Sequence, residues 1–526
     1  MTFLDHLPRD AESALESRRT MSSPGSTTVV PEKKSGLFYW AQRAIEECDK
    51  AGHDFAADPV HDLRVAIRRC RSLADGFLTV DPDPGWRQMK RMAKPLFASL
   101  GELRDVQVMM EWVDKLSSPE DPARPILLLE LQVRETKLKA AAQEELGKFD
   151  REEWLALNTH LNARAEQIPL GGTVFQLLAL ERWNEARELH RTALRNRSGV
   201  SYHQLRIGIK RLRYTVENFL PALHEQWSKD LRNLQDALGE VHDFDVLWAM
   251  LRSHGEVAGD VRAKWHGTIQ AERNKRLQLY RERMVGRQSL WRKWRAELPA
   301  EDQLQIAGLE KFRVWASFLD PHFDREAQVA SVALKLYDSF AEDKVMAADR
   351  SRRCILEAAA LTEEVGAGKH EKGRRKRAFK LLQKLAPPPG WSAQDMRAVA
   401  IVGHYHRGSL APTSHPMFSG TPARSHIHLL RLAGILRLAN ALASGVQGPA
   451  PQPNVRYEDG AIAITVPNLE AQIGPAGERL ARAKYLLEAA FGVSIDLRGM
   501  PAASSPRRTR KPQAAKGRST RKTLAQ

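Results

Sequence analysis

The chain has 526 residues, with 81 Lys and Arg against 64 Asp and Glu and a net charge of +17. That length exceeds what one compact core holds, so two or more domains are expected, and no apolar run is long enough to cross a bilayer. The N-terminal segment carries Asp5, Asp10 and Glu12 without a sustained apolar stretch, and Cys48, Cys70 and Cys354 stand without metal-ligand spacing. Together these predict no signal peptide and a cytoplasmic protein in a reducing compartment. The positive balance calls for an acidic partner, whether nucleic acid, an anionic membrane or polyphosphate, and charge alone does not choose among them.

In chain order, residues 1–33 are polar, with Ser, Thr and Pro clustered near Ser22–Pro31, and read as a disordered leader. From about 34 to 297 apolar residues recur at three- and four-residue spacing, predicting helices broken at Asp81–Gly85, Ser117–Pro125 and Pro169–Gly172. The last break divides the region into halves of about 34–168 and 173–297. A second domain is expected over 301–500: helical to about 445, then a Pro/Gly-rich stretch Gly445–Pro453. After it come a hairpin (Asn454–Glu458, turn Asp459-Gly460, Ala461–Val466), a helix at about Glu478–Phe491 and a short strand Val493–Leu497. The remainder, 501–526, holds Arg507, Arg508, Arg510, Lys511, Lys516, Arg518, Arg521 and Lys522 with no acid, and reads as a disordered tail that adheres to polyanions without selectivity. The fold class is mainly α.

An internal repeat is the strongest signal. PVHDLRVAIRRCRSLADGF (Pro59–Phe77) aligns with SYHQLRIGIKRLRYTVENF (Ser201–Phe219), and SLGELRDVQV (Ser99–Val108) with ALGEVHDFDV (Ala237–Val246). Asp58 as cap with Pro59 at the opening position, and Ser201 with Gln204 as a capping box, predict where the two repeated helices start. On a wheel of roughly 100° per residue, Leu63, Ile67, Cys70, Ala74 and Phe77 form one stripe, repeated by Leu205, Ile209, Leu212, Val216 and Phe219. His61, Arg64, Arg68 and Arg71 share another side within roughly 80°, as do His203, Arg206, Lys210 and Arg213.

Like charges stacked on one helix side repel. In a single copy, a solvated face relieved by acids such as Asp75 or Glu217 would be the preferred explanation. Two copies in the same order favour a strip that a long polyanion neutralises while releasing counterions. Arginine forks suit paired phosphate oxygens and lysine adds point charge. Lys90, Arg91, Lys94, Lys229 and Arg232 extend the strip or are ordinary surface charge. Asp105 and Asp243 fit a role in orienting arginines better than catalysis.

The duplicated H-x-x-R-x-x-x-R/K-R-x-R rows with the later LGE-x-x-D segments resemble the CHAD domain (conserved histidine α-helical domain) over roughly residues 33–297. The resemblance implies two four-helix halves around a basic channel, polyphosphate binding and, in some members, polyphosphate granules. Its binding residues fall on His61, Arg64, Arg68, Arg71, His203, Arg206, Lys210 and Arg213, with Arg69, Arg211 and Arg104 weaker; His242 stands where the first half has Arg104.

Farther on, AALTEEVG (Ala359–Gly366), GRRKRAFKLL (Gly373–Leu382), HYHRG (His404–Gly408) and LLRLAGILRLANAL (Leu429–Leu442) resemble the C-terminal HD-like domain of the exopolyphosphatase/guanosine pentaphosphatase family. That family's catalytic N-terminal domain has no counterpart here. Glu363 and Glu364 stand at the expected His-Asp pair, Arg375 and Arg377 at histidines, and Asn440 at an aspartate. Guanidinium offers a metal no lone pair, so no metal, cofactor or catalytic residue is expected. Arg375, Arg377, His406 and Arg407 form a secondary anion-site candidate.

The leading reading is therefore non-catalytic binding of inorganic polyphosphate, with a polyphosphate-metabolising enzyme or granule protein as a further partner, nucleic acid held only nonspecifically, and no membrane. Two alternatives stay open: a metal-dependent phosphohydrolase acting on polyphosphate or phosphorylated nucleotides, and a nucleic-acid-binding or scaffold protein.

Overall fold

The computed structural model describes residues 36–365, 374–407, 416–444, 450–467, 469 and 475–500. The leader and the basic tail lie outside the described residues, as does the side chain of Arg375. The protein is mainly α-helical, with a three-stranded sheet near its C-terminal end.

The first half contains α1 (Leu37–Ala51), α2 (Ala57–Phe77), α3 (Gly85–Met92), α4 (Lys94–Leu116), α5 (Ala123–Gly147) and α6 (Arg151–Ala165). The second contains α7 (Thr173–Asn196), α8 (Gly199–Phe219), α9 (Pro221–Ser253), α10 (Gly259–Met284) and α11 (Leu290–Ala296). The halves correspond in order: α1 to α7, α2 to α8, α3 with α4 to α9, and α5 to α10. Each is thus a four-helix unit, closed by α6 or α11. Where the first half breaks at Ala93, the second runs as one helix of 33 residues.

The repeated apolar stripes drive this arrangement. All ten stripe residues are buried, none more than 2% exposed. The stripes end on Phe77 and Phe219, whose rings meet edge-on at 5.2 Å, while Phe219 stacks on Phe175 at 4.3 Å. Gly76 makes that approach possible, since a Cβ there would lie 2.3 Å from the Phe219 ring. Contacts between α2 and α8 advance in the same sense: Arg69 meets Glu217, and Ser72 accepts from Asn218 at 3.1 Å. The two helices run parallel, which brings the beginnings of both basic rows to one side.

Both repeated helices start earlier than their capping residues suggested. The first begins at Ala57 without a side-chain cap, leaving Asp58 and Pro59 inside its first turn. The second begins at Gly199, capped by Ser198, whose Oγ accepts from Ser201 N at 3.2 Å. Ser198 sits where the chain is still extended, as an N-cap must, whereas Ser201 is already helical. The Asp81–Gly85 break is a buried anchor: Asp81 is fully enclosed and accepts from Trp86 Nε1 at 2.7 Å and from Arg164 at 2.5 Å.

One core runs from Leu37 to Leu298, and a smaller one joins α4 and α5 to α9 and α10 through Val106, Trp112, Phe244 and Leu251. A separate core occupies Leu309–Ile495. It is built by α12 (Leu304–Ser317), α13 (Phe323–Glu342), α14 (Arg350–Leu361), α15 (Arg374–Lys384), α16 (Ala393–Tyr405), α17 (Ala423–Ala443) and α18 (Pro475–Phe491), with β1 (Asn454–Glu458), β2 (Ala461–Pro467) and β3 (Ile495–Met500). Strands β1 and β2 form the expected hairpin, with Asp459 and Gly460 both at positive φ as a primed turn requires. The third strand starts two residues later than its apolar pattern suggested and pairs parallel to β2, Ile462 opposite Ile495. The α18 crossover makes that parallel pairing possible.

Candidate polyanion-binding site

The leading residues of the two rows converge. Arg64 from α2, His203, Arg206 and Lys210 from α8, Arg134 from α5, and His242 from α9 line one cavity of about 330 Å³. Its apolar wall is Val106, Met109, Leu131, Val246 and Met250, and Asp105 and Asp243 supply the acids. Arg64 Nη1 donates to Phe97 O at 3.2 Å, and the guanidinium lies 5.0 Å from the Phe97 ring. Gly101, in the LGE segment, leaves it room: a Cβ there would stand 2.6 Å from Nη1. Arg68 lies next along the row, 5.5 Å from the Tyr214 ring. The Nε atoms of Arg68 and Arg206 and Nδ1 of His203 are buried without a hydrogen-bond partner. Unsatisfied buried polar atoms are costly, and the two arginine N–H groups ask for an acceptor.

Crowding of cations shows in their acidities. Burial, then Arg206, Arg68 and Arg64, pushes the Lys210 ammonium down to about 7. Burial also lowers Arg64 to about 10, against the opposing pull of Asp105. His61 and His203 are lowered by burial and their arginine neighbours, and His242 to about 4 by burial and His203. Burial raises Asp243 to about 6, which thins the acid that could neutralise the pocket. An anion entering here would raise Lys210 again. Binding should therefore take up protons, with affinity highest below pH 7 and falling as pH rises through the free and then the bound pKa of Lys210. Calorimetric titration with polyphosphate in two buffers of different ionisation enthalpy checks this; Lys210→Met should abolish most of the uptake.

The remaining row members are tied into the protein. Arg71 donates to Lys90 O at 3.0 Å, and Lys90 pairs with Asp75. Arg69 pairs with Glu217, Arg213 approaches the same carboxylate at 3.6 Å, and Arg211 pairs with Glu185. Arg104 holds Glu111 at 3.0 Å and, after burial, is the next cause of the lowered His61 pKa. Lys94, Lys229 and Arg232 are exposed and do not line the cavity. Arg134 is a wall residue that sequence reasoning missed, because α5 has no counterpart row to mark it. His242 was noticed only as a departure between the halves.

Residues 41–252 match the family model of the CHAD domain, and residues 322–469 match that of the Ppx/GppA phosphatase, domain III. The chain carries both domains. A solved CHAD domain from the plant Ricinus communis is similar at 18% identity, covering 49% of this chain and 88% of that one, with a TM-score of 0.33. No curated protein matches. Both domains fit a polyphosphate-related function. No helix of the described residues is long and apolar enough to cross a membrane.

In the Ppx/GppA domain the Glu363-Glu364 pair is joined by Glu326 of α13, one oxygen from each lying within 4.8 Å of the others. Nothing in spacing marked Glu326, which sits beside Asp324 and Arg325 in the first turn of α13. The three acids are already partnered. Arg325 Nη1 lies 2.9 Å from Glu326, Arg407 Nη2 lies 2.9 Å from Glu364, and the Asn440 amide donates to Glu363. Burial, then Glu326, raises Glu363 well above the carboxylate range, and a hydrogen bond joins the two acids. Burial disfavours charge on Glu363, and guanidinium groups occupy the charge a divalent ion would need; the set does not fit a hydrolytic metal centre. Among the secondary anion candidates, His406 turns Nε2 to Glu363 at 3.1 Å and Nδ1 to Gly403 O at 2.5 Å. Arg407 borders an open depression, and Arg377 is half-buried on α15 away from it. The side chain of Arg375 lies outside the described residues.

Proposed function

We propose that the protein binds inorganic polyphosphate in the CHAD cavity through Arg64, Arg206 and Lys210, with His61, Arg68, His203, Arg134 and His242 around them, and does so without hydrolysing it. The observation that carries the reading is the convergence of Arg64 from one repeated helix with His203, Arg206 and Lys210 from the other on one cavity, in which Arg206 Nε is buried without an acceptor. A linear anion with oxygens on every unit can satisfy several of these donors at once, which an isolated carboxylate cannot. The exposed Lys94, Lys229 and Arg232 extend the positive field beyond the cavity and steer the polymer. Division of the chain near residue 300 leaves the CHAD half to hold polymer and the Ppx/GppA half to meet a second ligand or partner. The reading implies a protein found with the polymer, at granules or beside an enzyme that makes or consumes it.

Among the described residues no Phe, Tyr or Trp lines the cavity for base stacking, so selectivity for polyphosphate over nucleic acid is expected. A competition titration tests it: bound polyphosphate should resist DNA or RNA of equal charge. Incubation with polyphosphate and Mg²⁺ or Mn²⁺ should release no phosphate. Ready displacement by nucleic acid, or release that Glu364→Ala abolishes, would replace this reading with one of its alternatives.

A further inference from the structure

Polyphosphate engages only one side of the CHAD cavity. The other side is apolar: Val106 and Met109 from α4, Leu131 from α5, and Val246 and Met250 from α9. The two characters are segregated along the helices that make the walls. On α9 the lining residues change from His242 and Asp243 to Val246 and then Met250, and on α4 from Asp105 to Val106 and Met109. At about 1.5 Å per residue, the step from Asp243 to Met250 sets the apolar end about 10 Å beyond the charged one. Polyphosphate has no apolar part to place there, and pressing its charged oxygens against such a wall costs their hydration. We infer that the cavity also takes a phosphate monoester of an aliphatic chain, in competition with polyphosphate, with the phosphate on Arg64, Arg206 and Lys210 and the chain along the apolar wall.

The inference rests on the polyphosphate reading for the place of the phosphate and adds the chemistry of the group attached to it. Val106, Met109 and Leu131 are at most 5% exposed, whereas Val246 is 41% exposed. The chain therefore has a wall that solvent reaches at one edge and an enclosed surface behind it. Unbranched, adaptable Met109 and Met250 can follow a flexible chain. Burial of methylenes is favourable in proportion to the area removed from water, so affinity should grow with chain length until the wall is covered. A cavity of about 330 Å³ suits one small amphiphile. Because the inner wall is enclosed, the ligand is a single molecule drawn into the protein rather than a lipid surface on which the protein lies.

The test titrates the intact protein with methyl, butyl and octyl phosphate below the micelle concentration, beside long-chain polyphosphate and at constant ionic strength. Affinity should rise by roughly 2- to 4-fold per methylene over the first few, and octyl phosphate should displace polyphosphate. Arg64→Ala with Arg206→Ala should weaken octyl phosphate binding by about 10-fold or more. Val246→Asn with Met250→Gln should flatten the dependence on chain length. A series in the parent protein without that dependence, or one that persists unchanged in the arginine variant, overturns the inference while polyphosphate binding stands or falls on its own titration. Chain-length dependence in a protein that does not bind polyphosphate keeps the amphiphile and removes the polymer. Vesicles containing phosphatidate separate the sources: attachment to them without binding of monomeric octyl phosphate also overturns the inference.

Discussion

Replacing Arg64 and Arg206 together with alanine is expected to weaken polyphosphate binding by about 100-fold or more, taking ~1.5 kcal/mol for each lost charge-assisted contact. The two side chains come from equivalent places in the repeat and meet across one cavity, so each removes a fork from opposite sides of the same polymer. Stability should fall little. Arg64 gives up one hydrogen bond to Phe97 O and its place over the Phe97 ring, while both substitutions relieve repulsion around Lys210. The Lys210 ammonium should regain basicity as a result, a change that direct titration of the lysine detects. Thermal unfolding of the variant beside the parent, followed by a binding isotherm, checks the prediction. A folded double variant that binds as the parent does would remove the cavity from the account.

Phe219→Ala should be among the most damaging single changes in the CHAD domain, costing about 3–5 kcal/mol of stability. Its ring is fully buried, stacked on Phe175 and set edge-on to Phe77, and the backbone of Gly76 lies directly against it. Collapse around the gap is hindered because three of its neighbours are themselves fixed in the core. The substitution also loosens the junction that sets the spacing of α2 and α8, so polymer affinity should fall even where the variant remains folded. Urea unfolding followed by tryptophan fluorescence measures the first effect. A change below about 1 kcal/mol would mean that the halves are held together elsewhere.

The parts of this protein legible in its sequence are those set by local periodicity. The apolar stripes from Leu63 to Phe77 and from Leu205 to Phe219 identified the paired helices, and the same wheel put Arg64 and Arg206 on a common side. Periodicity could not say which row members are spent within the fold. Arg69, Arg211 and Lys90 look the same in sequence as Arg64, yet they meet Glu217, Glu185 and Asp75 from other helices. Arg134 and Glu326 stayed hidden for a related reason: each reaches its cluster from a helix that carries no repeated signal. The helix starts at Ala57 and Gly199 escaped because several residues near each end could serve as a cap, and packing chose among them. At Glu363 and Glu364 the sequence showed altered ligands, but the neutralising roles of Arg325 and Arg407 and the hydrogen bond from Asn440 required the fold.

The most direct test of the account is a titration of the intact protein with polyphosphate of defined chain lengths at two salt concentrations. The convergent rows predict saturable binding that tightens as chains grow long enough to span the cavity and its exposed lysines, and that weakens as salt rises through loss of counterion release. Binding that ignores both chain length and salt, or none at all by a folded protein, would contradict it.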